Sequence, residues 1–357
     1  MPRKNKLLSV DLFRSGFHDA VNASDDIANA LYCVNKNEAT RANESGIIQR
    51  LKNHFEPLEI EVIEQGSTAT EMRLPSSDYD VILKFRQQDP GQVIEILKGF
   101  AESMGATIDP ELKTPGNLVR MRVDGIQIDM MCVQSTVTVE WVSSLNTYMQ
   151  DVFMCVYAFP GVPIRANLSC LSYVPDHMQA VQQMSKIITN DRSLNTAFLL
   201  TKLAITTKIS SAAIVCLVTM SQFRPTSAFV VMQNMLRHMK AIADMIEDKE
   251  GNETISYTTH AAFRALAQYH MKDKSIFVLL PFQLHQIAKA LPDFTKFLKA
   301  MSLIDENEQP IEIGDRTPIS SKLYSTCTAL TQLLRTSVET PAMPDFMERA
   351  RKIVCNY

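Results

Sequence analysis

The apolar positions of this chain change rhythm twice. Across residues 10–35, and again in "NKNEATRANESGIIQRLKNHF", they recur every three or four residues, the spacing that lines one face of a helix. In the second stretch Ile47, Ile48, Leu51 and Phe55 form the apolar face, Asn37 stands where a cap belongs, and Pro57 ends the helix. From Glu59 the rhythm shortens to two. "EIEVIEQGS", "YDVILKF", "NLVRMRV" and "IQIDMMCV" predict four strands, the last two joined by the hairpin dipeptide Asp124-Gly125. One helix interrupts them, "DPGQVIEILKGFAESMG", opened by Asp89-Pro90. From about residue 140 the helical rhythm returns. "DHMQAVQQMSKIIT", "DRSLNTAFLLTKLAI", "SSAAIVCLVTMSQF", "AFVVMQNMLRHMKAIADMIED", "THAAFRALAQYHM", "FQLHQIAKAL", "DFTKFLKAMSLI" and "SSKLYSTCTALTQLLRT" each predict a helix, and residues 247–254 and 340–345 predict loops.

Helices, a compact mixed unit and then a long helical region imply an α+β fold with segregated parts, not repeated βαβ winding. The expected division is 1–55 as N-terminal helices packing with the later helices, 56–140 as a small mixed-sheet domain, and 141–357 as a helical domain. A length of 357 residues with 46% hydrophobic and 21% charged positions supports a large core and argues against disorder. Net charge is −3 and the pI is near 6.2, so a polyanion would have to meet a local patch, a metal or a partner protein. Seven cysteines without a C-x-x-C pair read as reduced intracellular thiols, and the histidine spacing offers no zinc site. The longest apolar runs, Ala212–Met220 and Ile276–Phe282, are too short to cross a bilayer, so no membrane partner is expected. The basic N-terminus reads as an exposed first helix, which points to the cytoplasm, with a mitochondrial presequence as the alternative.

The chemistry concentrates in "GSTATEMRLPSSDYDVIL", residues 66–83. Strand side chains alternate, so Asp78 and Asp80 point one way and Tyr79 the other. Two carboxylates so placed repel each other unless a cation sits between them, and hard oxygen ligands favour Mg²⁺ or Mn²⁺. Asp129, alone among apolar neighbours in "GIQIDMMCV", supplies a third carboxylate if its strand pairs beside the first. Gly66-Ser67 offers a turn whose backbone N–H groups and hydroxyl suit a phosphate. Together these parts suit two-metal nucleotidyl or phosphoryl transfer.

The same residues resemble the signature of the DNA polymerase β-like nucleotidyltransferases, and most of all the poly(A) polymerase and terminal uridylyltransferase branch: Gly66-Ser67, then "LPSSDYDV". The resemblance implies a palm-like domain set into a helical central domain. It implies Asp78, Asp80 and Asp129 as catalytic metal ligands, Gly66 and Ser67 at the nucleotide phosphates, and two metal ions, Mg²⁺ or Mn²⁺. "DRSLNTAFLLTKLAI" is similar to the family helix that carries a triphosphate-contacting lysine, here Lys202, and "ISSAAIVCLVTMSQF" to the helix start that brings Ser210 or Ser211 to the triphosphate. The implied substrates are a nucleoside triphosphate and a single-stranded RNA 3′ end, with UMP or AMP added and a protein partner supplying RNA affinity. The chain departs from the pattern where Glu71-Met72 replaces a glycine-leucine, where Ala212 replaces a base-stacking tyrosine, and in residues 141–183, which match no motif. Lys208 and Asp315 are the candidates for a second lysine contact and a late base-recognition loop.

Each residue also has a plainer reading. Lys202 is then a snorkelling surface lysine, Ser210 and Ser211 are helix caps, Asp129 is a salt-bridged structural residue, and Arg73 is a solvated loop arginine. Two other functions stay open: a synthase of oligoadenylate or cyclic dinucleotide messengers, and a silent scaffold subunit.

Overall fold

The computed structural model describes residues 20–69, 72–75, 77–85, 90–108, 118–123, 126–134, 173–222, 227–247, 268–271, 274–277, 279, 281–313, 318–340, 343 and 345–356. Over these the chain is α+β, with two hydrophobic cores.

The smaller core lies under one face of a five-stranded sheet. Strands β1 (Glu61–Gln65), β2 (Tyr79–Phe85), β3 (Thr107–Ile108), β4 (Leu118–Val123) and β5 (Ile126–Gln134) run in the order β1-β2-β5-β4-β3. β2 and β5 are parallel and the other pairs antiparallel, so the sheet is mixed. Alternation puts Tyr79, Val81 and Leu83 of β2 and Ile128 and Met130 of β5 on the buried face, where they meet Ile47, Leu51, Phe55 and Phe100. The phenylalanines come from α2 (Ile47–Phe55) and from a later helix, Pro90–Ser103, and their rings lie 4.8 Å apart, centroid to centroid. β3 is too short to carry an alternation signal, and no strand is expected there. Asp124-Gly125 lies outside the described residues.

The larger core is helical. α1 (Ala20–Ser45) buries Ala20, Ala23, Ile27, Ala30, Leu31 and Val34 along one stripe. Its partners include the helices over Arg192–Ala204 and Ser321–Glu339. Asn37 does not cap a helix; it lies inside α1, and its side-chain amide donates to the Val338 carbonyl at 3.4 Å. The break comes at Gly46, whose φ of +62° few other residues adopt without strain. The first expected unit is therefore divided between the cores, with α1 in the helical one and α2 under the sheet.

In chain order the helices are α3 (Gly66–Ala69), a single turn; α4 (Pro90–Ser103); α5 (Tyr173–Asn190); α6 (Arg192–Ala204); α7 (Ser211–Met220); α8 (Ala228–Glu247); α9 (Pro281–Ala300); α10 (Ser321–Glu339); and α11 (Phe346–Val354). Two expectations need correction. The segment 259–271 reads as a helix, yet Gln268–Met271 is a strand paired with Lys274–Phe277; residues 259–267 lie outside the described residues. Residues 282–291 and 293–304 read as two helices, yet α9 runs through Pro292 to Ala300. Buried Ile287, Ala290, Phe294, Phe297 and Leu298 hold one continuous face across the proline, and tertiary packing offsets the local cost of a missing N–H.

Phe55→Ala opens a cavity between α2, α4 and the sheet. It is expected to cost about 3–5 kcal/mol, read as a shift in denaturant midpoint with unchanged slope.

Candidate active site

The register between β2 and β5 sets Asp80 directly opposite Asp129, and that between β5 and β4 sets Asp129 opposite Arg120. Paired residues share a face, so a polar rank crosses the side of the sheet away from its core. Asp78, just before β2, joins them. One oxygen from each of Asp78, Asp80 and Asp129 lies within 4.8 Å of the others, close enough for a shared cation. The pairing of strands that the Asp129 expectation required is present, and it is parallel.

The short loop before β2 is built by its own residues. Arg73 is buried, not a solvated loop arginine. Its Nη1 and Nη2 donate to the Asp78 and Ser77 carbonyls at 3.1 and 2.8 Å, and its guanidinium sits 4.1 Å from the centre of the Tyr79 ring. The Ser77 hydroxyl accepts from the Leu74 backbone N–H at 3.0 Å. Arg73, Leu74, Ser77 and Asp78 thus clamp one another and aim Asp78. Gly66 opens α3 at φ +56°, and a Cβ there would collide with the Asp80 carboxylate. The glycine is needed both for its conformation and for its lack of a side chain.

The opposite wall comes from the helical core. A cleft of about 230 Å³ is lined by Gly66, Ser67, Asp78 and Asp80 from the sheet side and by Lys202, Ser211 and Ala212 from α6 and α7. Met72, Val181, Phe198 and Val215 add apolar surface. Gln182 and Ser185 of α5 also line it, and the Gln182 amide donates to the Glu64 carbonyl of β1 at 3.3 Å, tying the two sides together. These α5 residues were missed: Gln182 falls in residues 141–183, which match no motif, and Ser185 in a predicted helix with no pattern that points at a site. Residues 141–172 lie outside the described residues, as does Asp315. Lys208 is exposed and is not among the residues that line the cleft.

Of the two serines, Ser211 faces the cleft. Ser210 caps α7: its hydroxyl accepts from the Ala213 N–H at 3.2 Å and from the Gln283 side-chain amide at 3.2 Å. Lys202 is no snorkelling surface lysine. It is largely buried, and burial lowers its pKa while the Asp78 and Asp80 charges raise it.

Electrostatics follow from this crowding. Burial, then the Asp78 and Asp129 charges, push Asp80 up to about 7, with Lys202 and Arg73 opposing. Burial also raises Asp129, against hydrogen bonds from Arg120 Nε at 2.6 Å and Gln127 Nε2 at 3.1 Å. Arg120 and Gln127 escaped the sequence reading, although "LVRMRV" and "IQIDMM" contain both; their role appears only once the strands are paired. Asp129 is therefore salt-bridged as well as convergent on the other two carboxylates, and each of its oxygens keeps a second lone pair for another ligand.

No protein-family model and no curated protein matches the chain. Among solved structures it is similar to Cid1, an RNA terminal uridylyl transferase, at 11% identity and a TM-score of 0.32, over 87% of this chain and 92% of that one. Terminal uridylyl transferase 4 from Trypanosoma brucei, with bound UTP, gives 10% identity and a TM-score of 0.32 over 93% and 99%. The CD-NTase CdnG from Bradyrhizobium diazoefficiens, in complex with GTP, gives 13% and 0.29 over 93% and 97%. Similarity this slight says nothing of substrate or activity, which rest on the cleft itself.

Asp80 holds its proton more tightly in the folded than in the unfolded chain, so metal-free stability falls as pH rises from about 4 through about 7. Asp80→Asn is expected to raise the metal-free melting temperature at pH 8 and to abolish the further rise that Mn²⁺ gives the wild type. Calorimetry with and without Mn²⁺ at pH 6 and pH 8 checks this, and the wild-type Mn²⁺ effect should be larger at pH 8.

Proposed function

We propose that this chain is a template-independent nucleotidyltransferase that adds UMP or AMP from a nucleoside triphosphate to a single-stranded RNA 3′ end. The observation that carries this reading is the convergence of Asp78, Asp80 and Asp129 on one another, with Asp78 and Asp80 lining a cleft together with Gly66, Ser67, Lys202 and Ser211.

The donor set fits Mg²⁺ or Mn²⁺: three carboxylates, no sulfur or imidazole, and a charge that Arg120 and Lys202 offset only in part. When bound, such ions stabilise charge on the transferring phosphate and acidify the attacking hydroxyl. The chain's own residues do the rest. Ser67 donates to phosphate oxygens, Lys202 places its charge over them, and Ser211 adds a hydroxyl from the helical side. Asp129, held by Arg120 and Gln127, accepts the proton of the RNA 3′-hydroxyl as its oxygen bonds to the α-phosphorus. The bond from that phosphorus to the bridging oxygen breaks, and diphosphate leaves. The apolar wall of Met72, Val181, Phe198 and Val215 receives the nucleoside, with Ala212 leaving open the place of a stacking aromatic. A net charge of −3 favours a protein partner that supplies RNA affinity.

The test is an extension assay with labelled single-stranded RNA, Mg²⁺ or Mn²⁺, and each triphosphate separately. A ladder with UTP or ATP is expected, reduced by about a thousandfold or more in Asp78→Ala. Linked or cyclic nucleotides made without RNA would replace this reading with a messenger synthase. No product, together with no thermal shift from triphosphate and metal, would replace it with a silent scaffold.

A further inference from the structure

Six residues, 205–210, join the helix carrying Lys202 to the helix beginning at Ser211. No strand or helix fixes this loop, yet it sets how the two helices meet, and so where both side chains stand in the cleft. Its polar groups are taken up largely by one helix outside the cleft. Asp293 Oδ2 accepts from the backbone N–H of Thr206 and Thr207 at 3.0 and 2.9 Å, and from both threonine hydroxyls at 2.6 Å. Gln286 Oε1 accepts from the Ser210 N–H at 3.0 Å, and Gln283 donates to the Ser210 hydroxyl at 3.2 Å. Gln283, Gln286 and Asp293 follow at intervals of three and seven on α9, so they form one stripe along it. None of the three is among the residues that line the cleft.

We propose that this stripe of α9 positions the triphosphate-binding groups, with Asp293 as the principal positioning residue. The inference rests on reading the cleft as a triphosphate site. Asp293 acts through the loop and touches no substrate. Burial raises its carboxyl, but the hydrogen bonds of the two threonines outweigh this and hold it at about 2, so it stays an anionic acceptor through the working pH range. With the loop clamped at both ends, Lys202 and Ser211 meet the phosphates already in place. Without the clamp, binding must first order six residues.

The test compares wild type, Asp293→Ala, Asp293→Asn and the double variant Thr206→Val/Thr207→Val. The probes are a non-hydrolysable triphosphate with Mn²⁺, and Mn²⁺ alone. Asp293→Ala is expected to weaken triphosphate binding about tenfold and to raise KM far more than it lowers kcat. Asp293→Asn, which keeps an acceptor oxygen, should recover part of the loss, and the threonine pair should fall between. Mn²⁺ binding by the carboxylates should be unchanged in all of them. Wild-type triphosphate affinity in Asp293→Ala would overturn the positioning role alone. Parallel loss of Mn²⁺ binding would overturn it by showing a general loss of structure. A wild type that binds Mn²⁺ but no triphosphate would overturn both this inference and the reading of the cleft.

Discussion

Three carboxylates gathered on one face of a sheet are the constraint around which this molecule is arranged. At 4.8 Å and an effective dielectric constant near 20, two ionised groups repel by about 3–4 kcal/mol. Nothing in a hydrophobic core offsets that, so the offset is local. Arg120 lies beside Asp129 in the neighbouring strand, Lys202 stands over the cleft, and Asp80 retains its proton to near neutral pH. Each of these is partial. The residual negative field is what makes the cluster a place for a divalent cation.

That field also explains why the cleft lies between the two cores and not inside either. Asp80 and Asp129 cannot face the apolar side of the sheet, where Tyr79 and Ile128 pack. The helical body supplies the opposite wall with a lysine, a serine and a glutamine amide, polar groups that tolerate nearby charge. Gln182, bonded to the Glu64 carbonyl, shows that the two walls also meet by direct contact.

The strands were legible because period-two alternation in β1, β2, β4 and β5 is carried by residues that the sheet buries: Val62, Val81, Leu83, Met121, Ile128 and Met130. The carboxylates were legible because Asp78 and Asp80 flank Tyr79 at the start of one apolar strand and Asp129 interrupts the apolar run of another. Boundaries within long helical stretches were not. Asn37 resembles a cap, but the buried stripe of α1 carries the helix past it, and Pro292 resembles a breaker, but Phe294 and Phe297 hold α9 together. What packing decides, a local signal cannot show. The same holds for Arg73, Arg120, Gln182 and Asp293. Arg73 folds back onto its own loop, and the other three depend on a contact with another element; composition carries no trace of who the partner is.

The pairing of α1 with α10 has a consequence for how the chain is made. Asn37 reaches the carbonyl of Val338, 301 positions away, and the apolar stripe of α1 has no full cover until α10 exists. Among the described residues, the sheet with α2 and α4 draws its core from residues 47–130. A chain emerging from the ribosome can complete that unit early, while α1 waits for α10, whose Val338 lies 301 positions beyond Asn37. Loss of α10 would leave the sheet core intact and uncover the apolar stripe of α1, so a chain cut short before Ser321 is half folded and adhesive along one helix.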